Sequence, residues 1–425
     1  MGKIKIGLIG LGTVASGVYK TLQSFDNIEI VKIAVRDINK PRNIDNLNTN
    51  LLTTDAMEIV NNESIDVVVE LIGGVEPAKT LITTAILNGK HVVTANKELL
   101  AKHGEELFDL AEKNNKVILY EGAIAGGIPL IMPIKTILSA NKINKIEAIL
   151  NGTTNYILTK MDMEHSSYDE VLKEAQKLGY AEADPTADVE GFDAAYKLAT
   201  LATISLDRRI KINEIYREGI SKVTANDIKY ANELGYKIKL IAHAEMKDEN
   251  TADVRVHPML VSKNTTLAHI DYVTNAVTIT GFPIGQVTLS GPGAGEFPTA
   301  SSVAGDIVVL SHEIGTTDYI LPMMRCNHSN TVKVLNISDT INKYYLSLTV
   351  NNKVGVIGKI GLICADKGIS LASVLQKGVS EDNTANIIIV TELCKEKDIS
   401  EVIDLLQKEG CISKLNSMIR VAEDV

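Results

Sequence analysis

The sequence predicts an α/β chain in three parts: a doubly wound parallel sheet first, an α+β domain in the middle, and a ferredoxin-like βαββαβ module last. Three observations carry that prediction. At 425 residues the chain exceeds one ordinary core, since domains usually run to about 100–200 residues. Its first third alternates short β-branched apolar runs with helical spacing, the pattern of successive βαβ units. From Tyr344 onward the order reads strand, helix, strand, strand, helix, strand.

The elements follow in order. Residues 4–9, 28–35, 67–72, 91–95 and 117–120 are short and nearly all apolar, as strands covered on both faces must be. Between them, residues 14–22, 77–87 and 99–113 space their apolar side chains by three and four, as helices. This gives a first domain over 1–128. In the middle domain, 129–310, helices are expected over 129–138 and 168–178 and strands over 146–150 and 277–280, with polar loops between. Residues 311–340 return to the first domain or link onward. The last domain, 344–425, should hold strands at 345–350, 369–376, 386–391 and 412–421 and helices at 358–367 and 399–408.

Composition narrows the function. Apolar residues make up 45% and charged residues 23%, as in soluble globular proteins. A formal net charge of −10 repels a polyphosphate backbone, so no nucleic-acid partner is expected. Apolar stretches stop well short of the ~20 residues of a membrane helix, and the start enters a strand pattern with no signal peptide. Cys326, Cys364, Cys394 and Cys411 lack metal-ligand spacing and read as reduced thiols, with nothing flanking them that suggests lowered pKa values. A cytoplasmic protein without a membrane partner is the expectation.

Gly7-Leu8-Ile9-Gly10-Leu11-Gly12-Thr13-Val14-Ala15 follows the first strand and opens a helix, the G-x-G-x-x-G/A dinucleotide fingerprint of a Rossmann-type domain. Gly10 permits the tight turn, Gly12 lets the backbone approach a pyrophosphate, and Ala15 stands where close helix–strand packing is needed. The helix N-terminus offers free N–H groups to the phosphates. The second strand ends Val35-Arg36-Asp37. Arg36 suits the 2′-phosphate of NADP, while Asp37 leaves NAD open.

Asn96-Lys97 leaves the fourth strand at its carboxyl end, which aims Lys97 at the cofactor crevice. The densest polar cluster runs from Glu182 through Asp184, Asp188 and Glu190 to Asp193 and Lys197. Asp193 and Lys197 are four apart, on one helical face. An exposed pair of this kind contributes only about 0.5 kcal/mol, but this one sits amid alanines and leucines that favour burial. A lysine steadied by a carboxylate can exchange a proton with a carbonyl oxygen. Glu182 and Asp188 suit a substrate ammonium. The glycine-rich turn Glu121-Gly122-Ala123-Ile124-Ala125-Gly126-Gly127-Ile128 could turn carbonyls onto a monovalent cation, or simply allow a tight crossing. Gly291-Pro292-Gly293-Ala294-Gly295 reads as a loop approaching a ligand.

Together GLGTV, VVTANK, EGAIAGGIP, NGTTNYIL, AEADPTADVEGFDAAYKLATLA and GPGAGEFPTASSVAGD resemble homoserine dehydrogenase in its long form with a C-terminal ACT domain, over nearly the whole chain. The resemblance implies reversible NAD(P)-dependent interconversion of aspartate 4-semialdehyde and homoserine, in threonine, methionine and isoleucine biosynthesis. It implies Lys197 as general acid, Lys97 as a second lysine near nicotinamide and substrate, and Asp193 beside them. Glu182, Asp188, Gly152 and Thr153 match substrate contacts. Gly10, Leu11, Gly12, Thr13, Val14, Arg36 and Gly293 match cofactor contacts, NADP being preferred. Glu121, Ile124, Gly126 and Ile128 match a sodium site built mostly of main-chain oxygens. A homodimer or homotetramer is implied. In the effector loop, Asn352 and Val354 stand where an acid and a proline are usual, so an ammonium-binding carboxylate is missing and the module is expected to serve mainly in assembly. Two other readings stay open: a nucleotide-binding amino-acid sensor without turnover, and a reductase of another semialdehyde.

Overall fold

A computed structural model describes residues 3–314, 325, 326, 328, 330–379 and 383–422. The N-terminal part lays β1 (Ile4–Ile9), β2 (Ile28–Ala34), β3 (Leu52–Thr53), β4 (Val67–Glu70), β5 (His91–Thr94) and β6 (Ile118–Leu119) into one sheet. The order is β3-β2-β1-β4-β5-β6, parallel throughout, with the strand order reversing at β1. Helices α1 (Thr13–Leu22), α2 (Met57–Val60), α3 (Ala78–Leu87) and α4 (Lys97–Lys113) cross over between the strands. The valines of β4 and β5 are fully buried because helices cover both faces of the sheet. This is the doubly wound arrangement expected from the alternation, and its ligand crevice lies at the carboxyl ends of β1 and β4.

The middle part begins with a helix much shorter than the expected 129–138: α5 spans only Ile131–Lys135. It continues through β7 (Lys142–Ile149), α6 (Gly152–Glu164), α7 (Tyr168–Lys177), α8 (Thr186–Val189), α9 (Phe192–Leu206), β8 (Tyr216–Arg217) and α10 (Ala225–Glu233). Two long strands follow where the sequence suggested polar loops, β9 (Tyr236–Met246) and β10 (Thr251–Ser262), paired antiparallel along their whole length. Their polar residues are buried: Lys239, His243, Asp253, Arg255 and His257 are each under 5% exposed. Charges along and across the strands hold them: Arg255 lies 3.2 Å from Asp253 two residues away on β10, and His243 lies 3.6 Å from Glu147 of β7. β11 (Thr274–Phe282) and β12 (Gly285–Pro292) close that side of the sheet.

The return to the first sheet is made by α11 (Glu296–Glu313), ahead of residues 311–340 where it was expected. Its Ala300, Val303, Ala304, Ile307 and Leu310 join the core formed by Ile6, Leu8, Val18 and Val67. After β13 (Lys333–Val334) come β14 (Ile341–Asn351), α12 (Val356–Asp366), β15 (Leu371–Val379), β16 (Thr384–Thr391), the two-residue β17 (Cys394–Lys395), α13 (Glu396–Lys408) and β18 (Lys414–Val421). That is the βαββαβ order with a core of its own around Leu346, Ile360, Ile387 and Val402. Its sheet does not stand apart. β18 pairs in parallel with β10 through Met259–Arg420 and Leu260–Val421, giving one continuous sheet of twelve strands.

Candidate active site

At the nucleotide end, Gly10 has φ +101, and a Cβ there would stand 2.9 Å from Ile72 and 3.0 Å from the Leu71 carbonyl oxygen. Only glycine fits that turn. At Gly12 a Cβ would meet nothing within 4 Å, so the space above the start of α1 is open. No side chain caps this helix, which leaves its first N–H groups facing that space, the arrangement that suits a phosphate. Leu11, Thr13 and Val14 all keep some exposure along it. Ala15 is buried, and two residues on, Gly17 comes so close to α11 that a Cβ there would stand 2.6 Å from the Glu296 carbonyl oxygen. That second contact is α1 against α11. Arg36 is exposed just past β2. Asp37 is committed to its own loop: its carboxylate accepts the Asn39 N–H (2.8 Å) and its carbonyl oxygen accepts from Arg42 (2.6 Å).

The densest charged cluster of the predicted residues forms where three elements meet: the start of α4, the end of β7 and the first turns of α9. Asp193 lies between two ammonium groups. Lys197 Nζ is 2.7 Å from Asp193 Oδ2, and Lys97 Nζ pairs with Asp193 Oδ1. Lys197 also donates to the Leu150 carbonyl oxygen at 2.7 Å. Asn151, the next residue, donates to Asp188 at 2.7 Å and to Asp193 at 3.0 Å while its own oxygen caps α6 at the Thr154 N–H. The structure thus gathers Lys97, Lys197, Asp193 and Asp188, predicted from separate motifs, around Asn151, which was not. Asparagine directly before a helix is an N-cap signal, and that was the clue available.

The two lysines share one carboxylate yet shift in opposite directions. Burial pushes Lys197 below the usual lysine value, helped by the Lys97 charge and opposed by Asp193. For Lys97 burial also acts downward, but Asp193 and Asp188 outweigh it and the group rises. The difference follows exposure: the Lys197 side chain is 9% exposed and that of Lys97 42%. Burial works against ionisation of Asp193, yet the two lysines hold it well below the usual carboxylate range. Burial raises Asp188.

Other predicted residues lie around this centre. Gly152 opens α6, and Thr153 donates to the Tyr180 carbonyl oxygen at 2.7 Å. The Glu182 side chain is exposed, and its main-chain oxygen accepts from Gln176 at 3.1 Å. Gly293 packs so closely on Asn275 that a Cβ would stand 2.0 Å from its amide nitrogen. Sequence reading also missed the support beneath Lys97. Buried Glu70 accepts from Thr94 (2.7 Å) and from the Ile72 N–H (2.9 Å), and Asn96 donates to Gly74 (2.7 Å) and caps α4.

The 121–128 turn is buried. The Glu121 carboxylate accepts the N–H groups of Leu130 (2.6 Å), Ile131 (2.9 Å) and Met132 (2.8 Å), capping α5. Gly126, at φ +58, has its carbonyl oxygen taken by the Ser302 hydroxyl at 2.6 Å. Ile124 and Ile128 are 1% and 2% exposed, and their carbonyl oxygens accept no backbone N–H among the described residues. Among the described residues no cluster of three His, Cys, Asp or Glu side chains could hold a metal ion.

Comparison with known proteins fits this geometry. Residues 129–308 match the family described as homoserine dehydrogenase, residues 10–121 its NAD-binding domain, and residues 344–411 the ACT domain. Homoserine dehydrogenase of Synechocystis sp. is 42% identical, over 98% of this chain and 99% of that one. This chain belongs to the homoserine dehydrogenase family. The crystal structure of a homoserine dehydrogenase from Thiobacillus denitrificans superposes with a TM-score of 0.93 at 38% identity, covering 100% of this chain and 99% of that one. A hyperthermophilic archaeal homoserine dehydrogenase in complex with NADPH covers 73% of this chain and 98% of its own, at 28% identity and a TM-score of 0.63. The chain is an oxidoreductase of the NAD(P)-dependent reduction of aspartate semialdehyde to homoserine. The sensor without turnover and the reductase of another semialdehyde have no support among these relatives.

Proposed function

We propose that Lys197 is the proton donor of this homoserine dehydrogenase, with Asp193 and Lys97 positioning and tuning it. The observation that carries this reading is one buried carboxylate shared by two lysines at the mouth of the crevice. Gly10, Gly12 and the N-terminus of α1 would hold a nicotinamide cofactor across the strand ends, where it would supply or accept the hydride. Lys197, drawn below the ordinary lysine value, places positive charge where the alkoxide develops and gives up its proton there. Asp193 stays ionised and, with the Leu150 carbonyl oxygen, fixes the direction of that ammonium. Glu182, Asp188, Gly152 and Thr153 hold the amino-acid end of the substrate, contributing by proximity.

NADP is the preferred cofactor, because Arg36 is exposed at the end of β2 while Asp37 is engaged by its own loop. The NADPH-bound archaeal relative supports this choice. Gly10, Gly12, the N-terminus of α1 and Gly293 line the cofactor's path. A monovalent cation, sodium by its fit to carbonyl oxygens, would rest on the 121–128 turn. Ile124 and Ile128 offer buried main-chain oxygens there, and Glu121 and Gly126 complete the set. The chain works as a cytoplasmic homodimer or homotetramer; among the described residues no helix is long and apolar enough to cross a membrane.

Lys197→Ala tests the central assignment. Turnover of homoserine should fall by two or more orders of magnitude (~10²) with circular dichroism unchanged. Near-normal turnover in the folded variant rejects Lys197 as proton donor.

A further inference from the structure

Farther along α4 and α9, beyond the two lysines, lies a cavity of about 530 Å³ that the reaction does not use. Helix α4 lines it with Leu100 and Phe108 and α9 with Thr200, while Tyr120, Cys326 and His328 form a third wall. Lys102, Lys211 and Asn213 at its rim are exposed, so the cavity is reachable from solvent. One polar atom inside has no hydrogen-bond partner among the described residues: the hydroxyl of Thr200, a residue 8% exposed. A buried polar atom of that kind calls for a partner, and a ligand in the cavity can supply one.

The sulfur of Cys326 is surrounded by groups that favour its anion. Lys135 Nζ donates to it from 2.6 Å, the Tyr120 hydroxyl lies 2.8 Å away, and His328 stands beside it with Nδ1 2.7 Å from Asp207. Arg209 donates to the His328 carbonyl oxygen and pairs with Glu105 and Asp109, fixing that wall. Burial alone would raise the thiol, but Lys135, His328 and Tyr120 outweigh it and bring it down to about 7. No motif around Cys326 announces this, since every one of those partners is distant in sequence or masked by ordinary spacing. Cys364 and Cys394 differ: burial raises Cys364 to about 11 and also raises Cys394.

We propose that Cys326 is a thiol–disulfide exchange site, taking low-molecular-weight disulfides of the glutathione kind through this cavity. The Cys326 thiolate attacks one sulfur of the disulfide. The incoming S–S bond breaks as the new Sγ–S bond forms, and the electron pair leaves with the second sulfur as a thiolate that solvent protonates. Cys326 is oxidised and half of the small disulfide is reduced, so no further oxidant is needed. The adduct occupies the space between α4, whose first residue is Lys97, and α9, which carries Lys197. It wedges the two helices and loosens the pairing of Lys97 with Asp193, so modification lowers turnover.

The full-length protein, incubated at pH 7 with oxidised glutathione, provides the test. Intact mass and peptide mapping should show one glutathionyl group, on Cys326, added before any on Cys364, Cys394 or Cys411. Homoserine oxidation should fall in step and recover with dithiothreitol. Cys326→Ser should keep basal turnover and lose its sensitivity to the disulfide. Lys135→Gln should slow the reaction about tenfold at pH 7, and the difference should vanish above the pH at which both thiols are ionised. Labelling no faster at Cys326 than at the other three cysteines overturns the site. An adduct on Cys326 with undiminished turnover overturns its control of the reaction.

Discussion

Two buried ion clusters in this chain use opposite stoichiometry. At the reacting centre one carboxylate, Asp193, serves two lysines. At the junction of β18 with α13 one cation, Arg420, serves two carboxylates. Its Nε donates to Glu396 at 2.7 Å, its Nη2 to the other oxygen of Glu396, and its Nη1 to Glu218 at 2.9 Å. Arg420 is 1% exposed, and burial is overcome by Glu396 so that its charge is held more firmly than that of a free arginine. Lys197 is shifted the other way. A guanidinium closed on every side keeps its proton and acts as a clamp, whereas an ammonium with a surplus of cation beside it can release one. The contrast separates structure from chemistry better than burial does, since both groups are buried.

Removing Arg420 should have the largest effect, and on stability alone. Arg420→Met leaves Glu396 buried without its cation, a loss of about 3–5 kcal/mol measurable from the urea midpoint. Turnover of the folded fraction should stay near normal; a parallel loss of turnover at full stability would erase the distinction drawn here. The pH profile sharpens the other side. With Lys197 as the proposed proton donor, the rate of reduction should fall as pH rises through a value below the usual lysine range, while homoserine oxidation rises through the same value. Asp193, held ionised, contributes no limb near neutrality. An identical profile in Lys197→Arg would assign that limb elsewhere.

Smaller effects should follow at the periphery. Asn151→Ala removes charge-assisted bonds to Asp188 and Asp193, at about 1.5 kcal/mol, so turnover should drop about tenfold. It also uncaps α6, for about 1 kcal/mol of stability. Arg36→Asp should shift the ratio of kcat/KM for NADP over NAD about tenfold toward NAD, with stability untouched. An unchanged ratio in steady-state assays rejects Arg36 as the selector.

The first sheet was legible because each of its strands is a short β-branched run buried on both faces, a pattern with few other readings. β9 and β10 were not, because their buried face carries Lys239, His243, Asp253, Arg255 and His257, which read as loop until the fold brings opposing charges such as Glu147 and Asp271 against them. At the site, the Asp193–Lys197 spacing showed one ion pair. That Lys97 completes it from another domain depends on how α4 meets α9, which no local pattern encodes. The Cys326 surroundings were illegible for the same reason: Tyr120 and Lys135 arrive from far upstream.

The parallel join of β10 to β18 has a mechanical consequence. A module stitched by main-chain hydrogen bonds to the strand beside the reacting domain is a rib of the same frame, not a pendant on a tether. Force or a shape change delivered to its outer edge would be felt as bending of the whole twelve-strand surface, and cutting it away would leave a raw edge on β10 open to pairing with another chain.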